Sequence, residues 1–219
     1  EARERRRHAA LRAWGGDVAE FSNPTDRVTR PEDARRAKAW SQAFPPSYRE
    51  YYTPEQAVAD ITMLERCQDD GHPVVRLHDA AASTSEEGTV SQAVRFSFYR
   101  REPLSLATVI PFLTNLGAEI VDEKPFELVP ADGSGGTRFL CDYGLRFTRR
   151  LDERELLHFE QAFVDLWTGR AETGRLDRLV IAAGLTPRQV VLVRTCVRYL
   201  RQLGMSYSDR FIADVLVDH

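Results

Sequence analysis

The chain has 219 residues, 42% hydrophobic and 29% charged, which is enough apolar content for a real core and a length suited to one or two domains. Thirty Lys plus Arg against 33 Asp plus Glu leave a net charge of -3, a balance that argues against a dedicated nucleic-acid or polybasic membrane binder. The longest near-continuous apolar run, Leu179 to Leu185, falls far short of the ~20 residues that a bilayer span needs. No charged-then-apolar leader opens the sequence, so the expected compartment is the cytoplasm.

Residues 1 to about 70 read as helical. Arg3 to Trp14 begins with the basic run Arg5-Arg6-Arg7, read as a solvated helix face. Pro31 suits a first helical position, and the helix it opens should reach Phe44, where Pro45-Pro46 stops it. Thr53, Pro54 and Gln56 form a capping box, and Val58, Ile61, Met63, Leu64 and Cys67 give the following helix an apolar stripe.

The period then changes. Val74, Val75 and Leu77 mark a short strand, and residues 81–89 a loop rich in Ala, Ser, Thr and Glu. Val90, Val94, Phe96 and Phe98 alternate with Ser91, Arg95, Ser97 and Tyr99, as in a half-buried strand. A helix follows with Ser105 as its cap and Leu106, Val109, Ile110, Leu113 and Leu116 on one face. Pro111 predicts a kink there or a start delayed to Thr108. Strands over 119–129 and 137–147 flank the glycine-rich turn 132–136, the second with Phe139, Cys141, Tyr143, Leu145 and Phe147 on one parity. Asp152 and Glu155 then cap a helix that buries Leu156, Phe159, Phe163, Leu166 and Trp167. The order β-β-α-β-β-α predicts an α+β, ferredoxin-like antiparallel sandwich whose last strand has moved to the front.

From Arg175 the pattern is helical again. Leu176, Leu179, Val180 and Ala183 lead to Gly184; Thr186, Pro187 and Gln189 start a helix carried by Val190, Val193, Val197, Leu200 and Leu203; a last helix holds Phe211, Ile212, Val215 and Leu216. Such a hairpin cannot bury its apolar faces alone. The division expected is a helical segment over 1–70, an α+β domain over 71–170 and a helical motif over 171–219.

No catalytic constellation stands out. Gly133-Ser134-Gly135-Gly136 lacks the spacing and the Lys-Ser/Thr of a phosphate loop. His72 and His78 have no third ligand at metal spacing, and Glu86-Glu87 and Asp122-Glu123 read as solvated loop and strand-edge acids. Cys67, Cys141 and Cys196 form no CxxC pair and are expected as small buried apolar groups. Lys38 and Lys124 are the only lysines, which narrows any lysine chemistry to two positions. Phe96, Phe98 and Tyr99 invite comparison with the aromatic platform of an RNA-binding sheet, so a free-standing ligand- or RNA-binding module stays open beside the other readings.

Several phrases occur in a fixed order over residues 8 to 219. They are Ala43-Phe44-Pro45-Pro46-Ser47-Tyr48-Arg49-Glu50 with Ala57-Val58-Ala59-Asp60-Ile61, Phe98-Tyr99-Arg100, Pro111 to Gly117, Val121-Asp122-Glu123-Lys124-Pro125-Phe126 and Asp142-Tyr143-Gly144-Leu145. Downstream stand Ala182-Ala183-Gly184-Leu185-Thr186 and Tyr199-Leu200-Arg201-Gln202, with Asp177 where the pattern has Asn. Together they resemble the large bacterial NAD-specific glutamate dehydrogenases. The resemblance implies an ACT-like module and helical motif from the N-terminal regulatory region, serving assembly or allosteric control. It implies no catalytic, cofactor-binding or metal residue in this stretch, with NAD belonging to the parent enzyme. The partners implied are the rest of the parent chain, homo-oligomer subunits and an amino-acid effector, with no nucleic acid and no membrane. The effector-binding candidates are Arg100, Arg101 and Ser105, at the turn after the second strand and the start of the next helix, where backbone N–H groups could meet a carboxylate.

Overall fold

The computed structural model describes Trp40 and residues 43–67, 71–79, 93–131, 133 and 136–218. The helices expected before residue 40, Val90 and the loop over 81–89 lie outside the described residues. The elements are α1 (Pro46–Arg49), α2 (Pro54–Arg66), β1 (Val74–Asp79), β2 (Ala93–Arg100), α3 (Leu106–Asn115), β3 (Glu119–Leu128), β4 (Arg138–Arg146) and α4 (Glu153–Trp167). A 3-10 turn (Arg175–Arg178) then runs into α5 (Leu179–Ala182), followed by α6 (Pro187–Gln202) and α7 (Asp209–Asp218). The four strands form one antiparallel sheet in the order β1-β2-β4-β3. The chain divides into two compact units, one of residues up to 70 with 99–103 and 125–141, the other of 71–98, 104–124 and 142–219.

Three helix starts follow from their capping chemistry. Thr53, Asp152 and Thr186 each accept the N–H three residues on, while Gln56, Glu155 and Gln189 reach back to the cap's own N–H. Two orphan donors are thereby satisfied at each N-terminus. Helix α3 behaves differently. Ser105 stands at the cap position with extended backbone, but its side chain makes no capping bond, and the helix begins at Leu106 and runs through Pro111. The bond that proline forfeits would have gone to Ala107 in the first turn, an exposed residue where water can serve the carbonyl. Gly117, at φ +89°, ends the helix by adopting the left-handed conformation that costs glycine least.

In the first unit Phe44, Tyr48, Tyr52 and Phe126 form a ring cluster, with Tyr48 to Phe126 centroids 5.2 Å apart. The buried stripe of α2 comprises Ala57, Asp60, Ile61, Leu64 and Cys67, whereas Val58 and Met63 are only half-buried. In the second unit α4 covers the sheet with Phe159, Phe163 and Trp167, which meet Phe96 (4.7 Å to Phe163) and Phe98 (5.0 Å to Trp167). Glu160 of α4 accepts the N–H of Leu77, a donor of the edge strand β1.

The half-buried alternation expected of β2 is corrected here. Residues 94 to 99 are all buried, and β4 is buried on both parities from Leu140 to Leu145. Both strands are interior in the sheet, and their second face is polar yet covered, so the alternation of chemistry does not report an alternation of exposure. The aromatics considered for base stacking are therefore packed away from solvent. In the helical region Leu200, Leu203, Phe211, Val215 and Leu216, expected as core, are exposed, as is Ala183, while Val190, Val197, Ile181 and Ala213 are buried. Helix α6 carries two apolar stripes and covers one of them. Cys196 is exposed, contrary to expectation, and Cys67 and Cys141 are buried.

Candidate functional site

Two buried polar networks hold most of the charged and phenolic chemistry of the described core. In the first, Asp60 replaces an apolar residue in the stripe of α2. Tyr48 donates to its Oδ2 (2.6 Å) and Tyr99 to its Oδ1 (2.7 Å), so each carboxylate oxygen is solvated by a phenol in place of water. The Cys67 thiol reaches the Tyr99 carbonyl at 3.4 Å. Burial, and then the adjacent Asp60 carboxylate, push the Tyr48 phenol well above its ordinary pKa. Through these two bonds the Asp60 carboxylate of α2 anchors Tyr48 and Tyr99 in the core.

The second network lies on the strands. Arg95 on β2 donates through Nε to Asp142 Oδ2 (2.8 Å), through Nη2 to the Asp142 carbonyl (2.8 Å) and through Nη1 to Asp122 Oδ1 (2.5 Å). Ser97 donates to Asp142 Oδ1 at 2.9 Å. One guanidinium thus ties three strands, β2, β4 and β3, by their side chains, with a planar fork that a lysine could not copy. Gly144 leaves the space for it: a Cβ at that position would stand 2.8 Å from Arg95 Nη1 and 3.1 Å from Asp122 Oδ1. Burial works to raise the Asp122 carboxyl, but the hydrogen bond and charge of Arg95, with Lys124 and the Gly144 backbone, hold it below the usual range. Asp122 is the half-solvated acid expected on the edge strand β3, 48% exposed, and is in addition an ion-pair partner of Arg95.

A third set joins α4 to the helical region. Arg149 pairs with Glu155 (2.5 Å) and also donates to the Ile181 carbonyl at the end of α5. The Arg149 hydrogen bond outweighs burial and lowers the Glu155 carboxyl. Asp177, in the 3-10 turn, accepts the Gly174 N–H (2.7 Å) and Arg194 of α6 (2.6 Å), yet burial still raises its carboxyl above the ordinary value. A hollow lined by Leu166, Val180, Pro187 and Val190 encloses about 10 Å³, the room of one water.

The effector candidates occupy simpler positions. Arg100 is the half-buried last residue of β2, Arg101 is exposed in the bend that follows, and Ser105 is exposed ahead of α3 without a capping bond. Sequence reasoning missed Arg95, Asp60 and Asp142. Their signal was present: a carboxylate inside an apolar helical stripe at Asp60, and an arginine flanked by apolar residues within a strand at Arg95. Among the described residues no group of three His, Cys, Asp or Glu is placed to hold a metal, and no helix is long and apolar enough to cross a membrane.

Residues 31–67 match the family described as glutamate dehydrogenase, helical motif 2; residues 79–157 match glutamate dehydrogenase, ACT3 domain; residues 171–219 match glutamate dehydrogenase, helical motif 3. The chain belongs to the NAD-specific glutamate dehydrogenase family. Over 216 residues, 96% of the chain, it is 32% identical to the NAD-specific glutamate dehydrogenase of Mycobacterium tuberculosis (strain ATCC 25618 / H37Rv). It is 32% identical over 181 residues, 81% of the chain, to that of Halomonas elongata, and 27% identical over 216 residues, again 96%, to that of Pseudomonas aeruginosa. The chain spans only 13%, 11% and 13% of the length of these relatives, so it corresponds to a segment of a glutamate dehydrogenase. The phrases that carry the family resemblance supply Tyr48, Asp60 and Tyr99 to the first network and Asp122, Asp142 and Gly144 to the second.

Proposed function

We propose that this segment is a non-catalytic regulatory and assembly part of an NAD-dependent glutamate dehydrogenase. The parent reaction, oxidation of L-glutamate with NAD and water to 2-oxoglutarate, ammonia and NADH, is performed by the portion of the polypeptide outside these residues. The observation that carries this reading is that the family's phrases converge on buried, internally satisfied networks, so their residues serve architecture. The α+β unit is taken as a ferredoxin-like, ACT-like sandwich. The order β1-β2-β4-β3 is what a β-α-β-β-α-β sandwich yields when its last strand is moved to the front, and the ACT3 match supports it. The parts divide as 1–70, 71–170 and 171–219, in keeping with the matched spans. The parent is read as a cytoplasmic homo-oligomer, with NAD bound elsewhere in it. An amino-acid effector would engage Arg100, Arg101 and Ser105.

The test has two arms. The 219-residue chain mixed with glutamate and NAD should produce no NADH, and turnover by it alone overturns the reading. In the full-length dehydrogenase, Asp60→Ala should change the mass of the assembly or the glutamate saturation curve. Wild-type values of both would remove the regulatory and assembly role.

A further inference from the structure

Strand β1 stands at one end of the sheet, paired with β2 and, among the described residues, with no strand on its other side. In an antiparallel strand the N–H and C=O of one residue point the same way, and those of the next residue point the opposite way. The Leu77 N–H goes to a side chain, Glu160 Oε1, so the backbone of Leu77 faces away from β2. By that alternation Val75 and Asp79 share its direction, and Leu77 is the middle one of the three. An outward row of this kind is the template on which a further strand builds, and Val74, Val75 and Leu77 are the residue types that favour it.

Glu160 belongs to α4, the helix that covers the sheet. It lies one turn after Leu156 and one turn before Phe163, inside the apolar stripe of that helix, and is half-buried there. Burial raises its carboxyl above the ordinary value, against the Leu77 N–H and the charge of Arg76, which lower it. A carboxylate in this stripe adds desolvation cost to the packing that Phe159, Phe163 and Trp167 provide. What it supplies is an acceptor. To pair with Leu77, an incoming strand must set its own carbonyl oxygen on the N–H that Glu160 Oε1 already holds. Over a strand of 6 residues, loss of the middle position leaves the outward groups of Val75 and Asp79 too far apart for a continuous ladder.

We infer that Glu160 is a built-in block to strand addition at β1: its carboxylate occupies the central outward donor of the edge and keeps β1 of a second copy from pairing there. The inference stands apart from the regulatory reading, which turnover and the mass of the full-length assembly test.

The 219-residue chain is compared with Glu160→Gln, which keeps an oxygen acceptor of the same reach, and with Glu160→Ala, which removes it and suits a helix. Unchanged far-ultraviolet circular dichroism would confirm that the fold is kept. In dilute protein the Leu77 amide, followed by nuclear magnetic resonance, should exchange at least ~10-fold faster in Glu160→Ala than in the wild type, the measure of one hydrogen bond to a charged acceptor. Glu160→Gln should stay near the wild type. As concentration rises, light scattering should show Glu160→Ala gaining mass beyond the wild type, with the Leu77 amide protected again in the larger species. Val75→Pro added to Glu160→Ala removes the neighbouring outward N–H where an edge strand tolerates proline, and should return the mass to that of the wild type. Equal Leu77 exchange in the wild type and Glu160→Ala overturns the inference, as does a Glu160→Ala mass that never exceeds the wild-type value. Association that survives Val75→Pro, or that Glu160→Gln shows to the same degree, overturns it too.

Discussion

Replacing Arg95 by Met tests whether the strand network is a joint or an ornament. The Asp142 side chain is 1% exposed and that of Arg95 9%, so the pair is effectively out of water. Methionine fills most of the arginine stem but removes the guanidinium, with its two bonds to Asp142 and one to Asp122. Asp142 keeps its bond from Ser97 and loses the charge of Arg95, and breaking a buried pair in this way costs ~3–5 kcal/mol. Against a total stability of ~5–15 kcal/mol for a typical domain, that is a third or more. With a urea slope of ~2 kcal/mol/M the midpoint should fall by about 2 M. Much of that cost is the stranded charge, so Asp142→Asn placed on Arg95→Met should recover part of it. The double variant should lie at least ~2 kcal/mol above the sum of the single losses. Urea unfolding followed by tryptophan fluorescence and circular dichroism measures all four proteins. A loss under ~1 kcal/mol for Arg95→Met, or simple additivity, would refute the reasoning.

Other outcomes follow from the same geometry. Gly144→Ala should cost ~1–3 kcal/mol by urea unfolding, because its Cβ would press on the Arg95 guanidinium. The cost should largely vanish in the Arg95→Met background; an equal cost in both would place the strain elsewhere. Tyr48→Phe should destabilise by ~1.5–3 kcal/mol, the worth of a hydrogen bond to a charged acceptor. It should also flatten the alkaline limb: with the folded phenol raised, its contribution is complete below the unfolded value of about 10 and is lost as pH rises beyond it. An unchanged limb would assign that slope to another group. Asp122, depressed in the fold, contributes above its unfolded value of about 3.9, and the contribution disappears as pH falls through the lower folded value. Stability between pH 2 and 5 should therefore lose part of its slope in Asp122→Asn. Calorimetric titration of the chain with free amino acids, if saturable, should lose its heat on Arg101→Ala with stability unchanged within ~0.5 kcal/mol, since that arginine is exposed. Retained heat would move the effector site away from the turn.

Local chemistry was the legible part of the fold. Thr53, Asp152 and Thr186 declare their helices because a cap and its reciprocal partner lie within three residues of each other, and no distant group has to agree. The aromatic side of β2 and the stripe of α4 were equally readable, as matching periodicities that need one another's burial. Arg95 looked like a solvent-facing residue because an alternating strand is normally wet on its polar side. Its burial depends on Asp142, 47 residues away, and on Asp122, 27 away, and its apolar neighbours in the strand mark the position without naming such distant partners. Asp60 was hidden in the same manner, its two donors lying 12 and 39 residues off.

The sequence by itself determined the element order, the caps, the aromatic face of the sheet and the family, since each rests on neighbours in the chain or on short phrases in order. Tertiary structure alone decided which polar residues are sealed inside, why a side chain at position 144 would crowd Arg95, and which of the two apolar stripes of α6 is covered. Both stripes satisfy helical periodicity equally well. The side that faces inward is the one where Val190 and Val197 are buried and Arg194 meets the buried Asp177, which leaves Leu192, Tyr199 and Leu203 facing out.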